Sequence, residues 1–89
     1  MSHTSQEELQ SRIHDACQRV DVSATYFHYK DIDRLKPYKI VSIALDEATE
    51  EVCVVYQAQY GERLTWIRTV QDFCSNVEVE NVELARFSR

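Results

Sequence analysis

His28 and Lys30 stand two residues apart in Thr25-Tyr26-Phe27-His28-Tyr29-Lys30, so an extended backbone puts both on one face with Tyr26. Further along, Tyr56, Gln57, Tyr60, Trp66 and Arg68 belong to two β-prone runs separated by the only glycine, with Trp66 and Arg68 again sharing a face. Brought together, these seven side chains supply a flat aromatic platform, an amide for polar pairing, and cations suited to carboxylate or phosphate. The chemistry they point to is the holding of a small ligand or peptide in a groove. A plainer reading stands beside it: rings half-buried at a barrel rim, Arg68 stacked on Trp66 or paired with an acid, and His28 bonded to backbone.

A second set suits nucleic acid. Lys30, Arg34, Lys36 and Lys39 cluster with the rings of Tyr29 and Tyr38 near them, and only Asp31 and Asp33 intervene. Small barrels hold single strands by stacking bases on such rings beside cations. The formal net charge of −5 works against this, because a polyanion is gripped chiefly through counterion release. Catalysis has little to build on. No serine or cysteine carries the signature of an activated nucleophile, and one glycine cannot make a phosphate-cradling loop. An enzyme would have to use His28 as a general base, and a lone strand histidine is usually structural. His3 and His14 lack metal-ligand spacing, and Cys17, Cys53 and Cys74 form an odd set without a C-x-x-C pair. Reduced, small buried thiols in a cytoplasmic protein are therefore expected, with no metal and no cofactor.

The totals bound the rest. Eighty-nine residues make one domain, and 44% hydrophobic with 28% charged residues is a globular balance. No apolar run approaches the roughly 20 residues of a membrane span, so no membrane partner is expected.

The elements that must position these groups can be read in order. Ser5-Gln6-Glu7-Glu8 matches a capping box. Leu9, Ile13, Ala16, Cys17 and Val20 follow as one apolar stripe, giving a helix over residues 5–20. The stripe either covers its own β domain or pairs with a second copy through Leu9, Ile13, Cys17 and Val20. Strands are expected at 25–30, 38–45, 51–59 and 64–68. Tyr38 to Leu45 reads as a central strand covered on both faces. Thr69 caps a single helical turn that turns Val70, Phe73 and Cys74 inward, and Val77-Glu78-Val79 and Val82-Glu83-Leu84 are short edge strands with Val77 and Val79 inward. Phe87 pins the tail. The expected fold class is mainly β (α+β): an SH3-like five-stranded small β-barrel over 25–87 with an N-terminal amphipathic helix, the barrel closing to remove free edges.

Several of these residues also carry a resemblance. Tyr26-Phe27-His28-Tyr29-Lys30, Tyr38-x-Ile40-Val41, Thr49 and Glu51, Val54-Val55-Tyr56-Gln57-Ala58-x-Tyr60-Gly61, and Trp66-Ile67-Arg68 with Phe73 occur in this order. In that order they resemble a bacterial domain-of-unknown-function family, number sixteen fifty-three, over about residues 25–87. The resemblance implies a short module with no assigned activity. The chain departs from the family pattern at Asp31, where glycine is usual, and at Thr69, where proline is usual. The function expected from sequence is a non-enzymatic binding or adaptor module, with a single-stranded nucleic-acid-binding barrel as the alternative.

Overall fold

The computed structural model describes residues 4–89, so His3 lies outside the described residues. The elements run α1 (Gln6–Arg19), β1 (Thr25–His28), β2 (Tyr38–Leu45), β3 (Val52–Ala58), β4 (Thr65–Thr69), α2 (Val70–Phe73), β5 (Asn76–Val79), β6 (Val82–Ala85) and β7 (Phe87–Ser88). No described helix is long and apolar enough to cross a membrane.

Helix α1 begins where the capping signature places it: Ser5 Oγ accepts the Glu8 backbone N–H at 3.2 Å. Glu8 also binds Arg12 at 3.1 Å one turn on, and the acids of the first turn and Arg19 in the last suit the helix dipole. Ala16 and Val20 are buried among Tyr26, Val54, Tyr56, Val70, Phe73 and Phe87, so the C-terminal half of the stripe covers its own sheet. Leu9 and Ile13 lie half-buried beside Leu45. Cys17 departs from the expectation: it is exposed, because the helical rotation that buries Ala16 and Val20 carries it out of the contact. Cys53 is buried and Cys74 half-buried, and burial pushes both thiols up.

Five strands form one sheet in the order β4-β3-β2-β1-β7, antiparallel at every pairing, and β5 pairs with β6 as a separate two-stranded hairpin. This corrects the expected barrel. Among the described residues β4 and β7 end the sheet without bonding to each other, since the β5–β6 hairpin between them pairs only with itself. The result is α+β, with antiparallel sheets and a leading helix.

Strand β2 also differs from its expected alternation. A bulge at Val41 interrupts the pairing with β3, so Ile40 faces Tyr56, Ser42 faces Val55, and Ile43 faces Val54. One extra residue reverses the parity of all that follows. Ile40 and Ile43 therefore both reach the core, while Val41 is left more than half exposed. The outer face of the sheet is open at Val41 and Ile67, both more than half exposed, and covered only toward Cys53.

The core itself is aromatic. Phe73 and Phe87 stack at 4.4 Å with planes 7° apart, and Tyr26 and Tyr56 meet Phe73 edge-on at 5.2 and 5.6 Å. Helix α2 sets Phe73: Thr69 Oγ1 caps it by accepting the Asp72 N–H at 3.1 Å. On the hairpin, the pairs Val77–Leu84 and Val79–Val82 share one apolar face. Val77 is half-buried, but Val79, expected inward with it, is exposed along with Val82 and Leu84, because the hairpin stands off the main sheet. Its turn, Glu80-Asn81, has both residues in the left-handed region, the geometry a two-residue hairpin turn requires. Gly61, Arg34, Glu50 and Arg63 occupy the same region in other turns.

Candidate functional site

The break between β4 and β7 is where the candidate site lies. A depression of about 270 Å³ there is lined by His28, Tyr38, Tyr56, Trp66, Arg68 and Phe87. All five strands of the main sheet contribute: β1 gives His28, β2 Tyr38, β3 Tyr56, β4 Trp66 and Arg68, and β7 Phe87. The register explains the convergence. Tyr56 pairs with both Ile40 and Trp66, so Trp66 and, two residues on, Arg68 project from the core face rather than the outer one. At the free end of that face the core is not closed over, and Trp66 stays 50% exposed.

Arg68 is held from two sides. Its Nε donates to Tyr56 Oη at 3.1 Å, and its Nη1 forms an ion pair with Asp72 Oδ2 one helical turn away. Its guanidinium lies 5.6 Å from the Phe87 ring centroid. Asp72 is shared, since Arg86 Nε approaches its other oxygen at 3.8 Å. His28 packs edge-on against Phe87 at 5.1 Å and accepts the Lys30 backbone N–H on Nδ1 at 3.2 Å, a bond available only with Nδ1 unprotonated.

Partial burial, followed by the charges of Arg68, Lys30 and Arg86, holds the His28 imidazole below its usual 6.5, with Asp31 opposing. An unfolded chain therefore takes up this proton first as pH falls. Stability should decline from about pH 6.5 down to the folded midpoint and carry a constant penalty below it. A native-state NMR titration should place the His28 midpoint under 6.5, and Arg68→Gln should move it upward. An unchanged midpoint in that variant would show that Arg68 does not act on the imidazole.

A second depression, about 480 Å³, adjoins the first through His28 and Tyr38 and is lined further by Lys30, Lys36, Tyr60 and the 31–35 loop. Tyr38 and Tyr60 join through their hydroxyls at 2.5 Å, and burial followed by this bond pushes the Tyr38 phenol up. The loop is braced by Asp31, whose carboxylate accepts the N–H groups of Leu35 and Lys36 at 3.2 and 2.8 Å.

The expected residues thus divide. His28, Tyr56, Trp66 and Arg68 converge in one depression, and His28, Lys30 and Tyr60 in its neighbour. Gln57 is separated from both: adjacent to Tyr56 on β3, it faces the outer side and donates to Arg63 O at 3.1 Å, bracing the β3–β4 turn. The cationic set divides as well. Lys30 and Lys36 line the second depression with Tyr38. Lys39, next to Tyr38 on the strand, faces away, and the Arg34 guanidinium stacks 4.1 Å over Phe27. Tyr29 lies outside both linings and packs against the His28 ring at 4.6 Å with the planes tilted by 36°. Four contributors escaped the sequence reading of this groove: Phe87, Asp72, Arg86 and Tyr38, the last expected only in the nucleic-acid set. Only Asp72 left a local trace there, four residues after Arg68.

A family model described as "Protein of unknown function (DUF1653)" matches residues 24–89, a span that begins after α1. A crystal structure of a protein from Bordetella bronchiseptica, described as belonging to the same family, is similar with a TM-score of 0.63 and 25% sequence identity. The likeness covers 75% of this chain and 83% of that one. None of the curated proteins matches.

Proposed function

The chain belongs to the DUF1653 family, and from that premise we propose that it is a non-enzymatic binding or adaptor module whose aromatic-polar groove takes a small ligand or peptide. The observation that carries this reading is the convergence of a half-exposed Trp66 with Arg68 and His28 over a depression built by five strands. About 270 Å³ alone is small for a ligand site, whose usual range is roughly 300–1,000 Å³. Joined through His28 and Tyr38 to the neighbouring 480 Å³, it becomes an elongated groove better matched to an extended chain. Asp72 and Tyr56 fix the Arg68 guanidinium before any ligand arrives, so less ordering is left to occur on binding.

Single-stranded nucleic acid remains the second reading, favoured by Lys30 and Lys36 beside Tyr38 and Tyr60 in the second depression. Asp31 and Asp33 in the same lining, and the −5 total, weigh against it. Titrating the labelled protein with pooled short peptides, small carboxylates and an octathymidylate distinguishes the two. Shifts of the Trp66 indole, Arg68 and His28 signals are expected with peptide or carboxylate, with modest salt dependence. A response to octathymidylate alone that collapses with added salt would transfer the assignment to nucleic acid. Silence of all three signals in every pool would remove the groove as a site.

A further inference from the structure

Among the described residues, strand β4 has one bonded edge and one free edge, and the register says which backbone groups face the free one. Ala58 N–H donates to Leu64 O at 3.0 Å, which makes residues 58 and 64 a hydrogen-bonded pair of the β3–β4 ladder. Antiparallel pairs alternate, so Trp66 and Arg68 also turn their backbone groups toward β3, whereas Thr65 and Ile67 turn theirs away. Two N–H and two C=O groups thus point outward in a row. Beside them stand Leu64, Trp66 and Ile67, each at least half exposed. Natural sheets usually blunt such an edge with charge, proline or a bulge, and the interior of β4 carries none of these except Arg68, which is turned into the groove.

Charge selects the occupant. The cations Arg68, Lys30 and Arg86 all act on His28 against Asp31 alone, and Asp72 is one carboxylate shared by two guanidiniums. The smaller depression, whose one formally charged lining residue is Arg68, is a basic spot on a chain of net charge −5. A second copy at this edge would bring its own Arg68 up to this one, which is unfavourable. A polynucleotide backbone offers nothing to a row of alternating N–H and C=O groups.

We infer that the free edge of β4 receives an extended acidic peptide as an added strand, occupying the break between β4 and β7. This rests on the groove reading above and assigns the partner. Residues of the peptide that face inward, two apart, lie beside Trp66 and Arg68, and one of them is aspartate or glutamate. The residue between them lies on the outer face beside Ile67 and is apolar or β-branched. The backbone exchanges up to four hydrogen bonds with Thr65 and Ile67.

The test uses the full chain and a displayed library of random ten-residue peptides. Recovered sequences should share an inward acidic residue flanked by β-branched ones, and a synthetic copy of the most enriched should slow exchange of the Thr65 and Ile67 amides at least about tenfold. N-methylating that peptide one residue at a time should weaken binding about tenfold at alternate positions and leave the positions between them unaffected. Ile67→Pro removes an outward N–H without removing a ladder bond, and should abolish binding in a folded protein. Should that variant not fold, the N-methyl scan decides alone. If the peptide shifts Trp66 and His28 but the scan is flat, strand addition is wrong while the groove stands. If no peptide is enriched and those signals never move, both readings fall. A response confined to octathymidylate, or a doubled mass with Thr65 and Ile67 already protected without ligand, would overturn the peptide as the occupant.

Discussion

Phe73→Ala should lower the unfolding free energy by about 3–5 kcal/mol, out of a total that for a domain of this kind is about 5–15 kcal/mol. Phe73 is 2% exposed and meets three other rings: Phe87 face to face, Tyr26 and Tyr56 by their edges. Truncation removes the transfer free energy of the ring, leaves a cavity, and forfeits the ring–ring geometry. The surroundings have little freedom to collapse, since Tyr26 is tied through its hydroxyl to the Asp21 N–H at 2.9 Å and Tyr56 to Arg68. Urea unfolding should show a lower midpoint at unchanged slope. A loss under about 1 kcal/mol would mean that the aromatic stack does not hold the sheet together. Phe87, the stacking partner, also lines the groove, so ring signals of His28 and Trp66 should broaden in the same variant.

Val20→Asp is expected to cost about as much, for a different reason. Val20 has no exposed surface and sits among apolar groups, where a carboxylate would have neither water nor a partner, at a cost of about 3–5 kcal/mol. The variant also separates the two roles that the sequence leaves open for the α1 stripe. Loss of stability at every protein concentration marks a helix that covers its own sheet. A folded variant whose only change is a halved mass would mark a helix that pairs two copies.

Those two residues also show what the sequence made legible. Ser5 with Glu8 and the stripe ending in Val20 predict α1 to within a residue, because capping and helical periodicity are local properties. The Thr69 cap and the inward Phe73 are local too, and both are found as expected. Barrel closure was not legible, because it depends on which strands meet at the ends of the chain. The two residues of β7 pair with β1 and leave β4 alone. Nor was the bulge at Val41: nothing in Ile40-Val41-Ser42 announces an extra residue, yet it reassigns every side chain from Ser42 onward. The same parity problem governs the site. Alternation from Tyr56 correctly puts Trp66 and Arg68 together once pairing is known, but it also sends Gln57 and Lys39 to the opposite face. Phe87 meets His28 across nearly sixty residues of intervening sequence, a contact no local pattern encodes.

The backbone of the turns leads to a conclusion about how finished this protein is. Arg34, Glu50, Arg63, Glu80 and Asn81 all hold left-handed dihedrals, and apart from asparagine these are residue types for which that region is costly, by about 1–2 kcal/mol each. Glycine in their place would return about 0.5–1 kcal/mol of that through the unfolded chain's greater freedom, leaving a small net gain at each turn. Arg34 and Arg63 repay their strain through Phe27 and Gln59. Glu50 accepts the Thr4 hydroxyl at 3.0 Å, a bond that glycine would forgo, so the gain is clearest at Glu80. Selection has therefore left thermal headroom in the chain at positions outside both halves of the groove lining, and a hardier version could be reached without altering any surface that a ligand would touch.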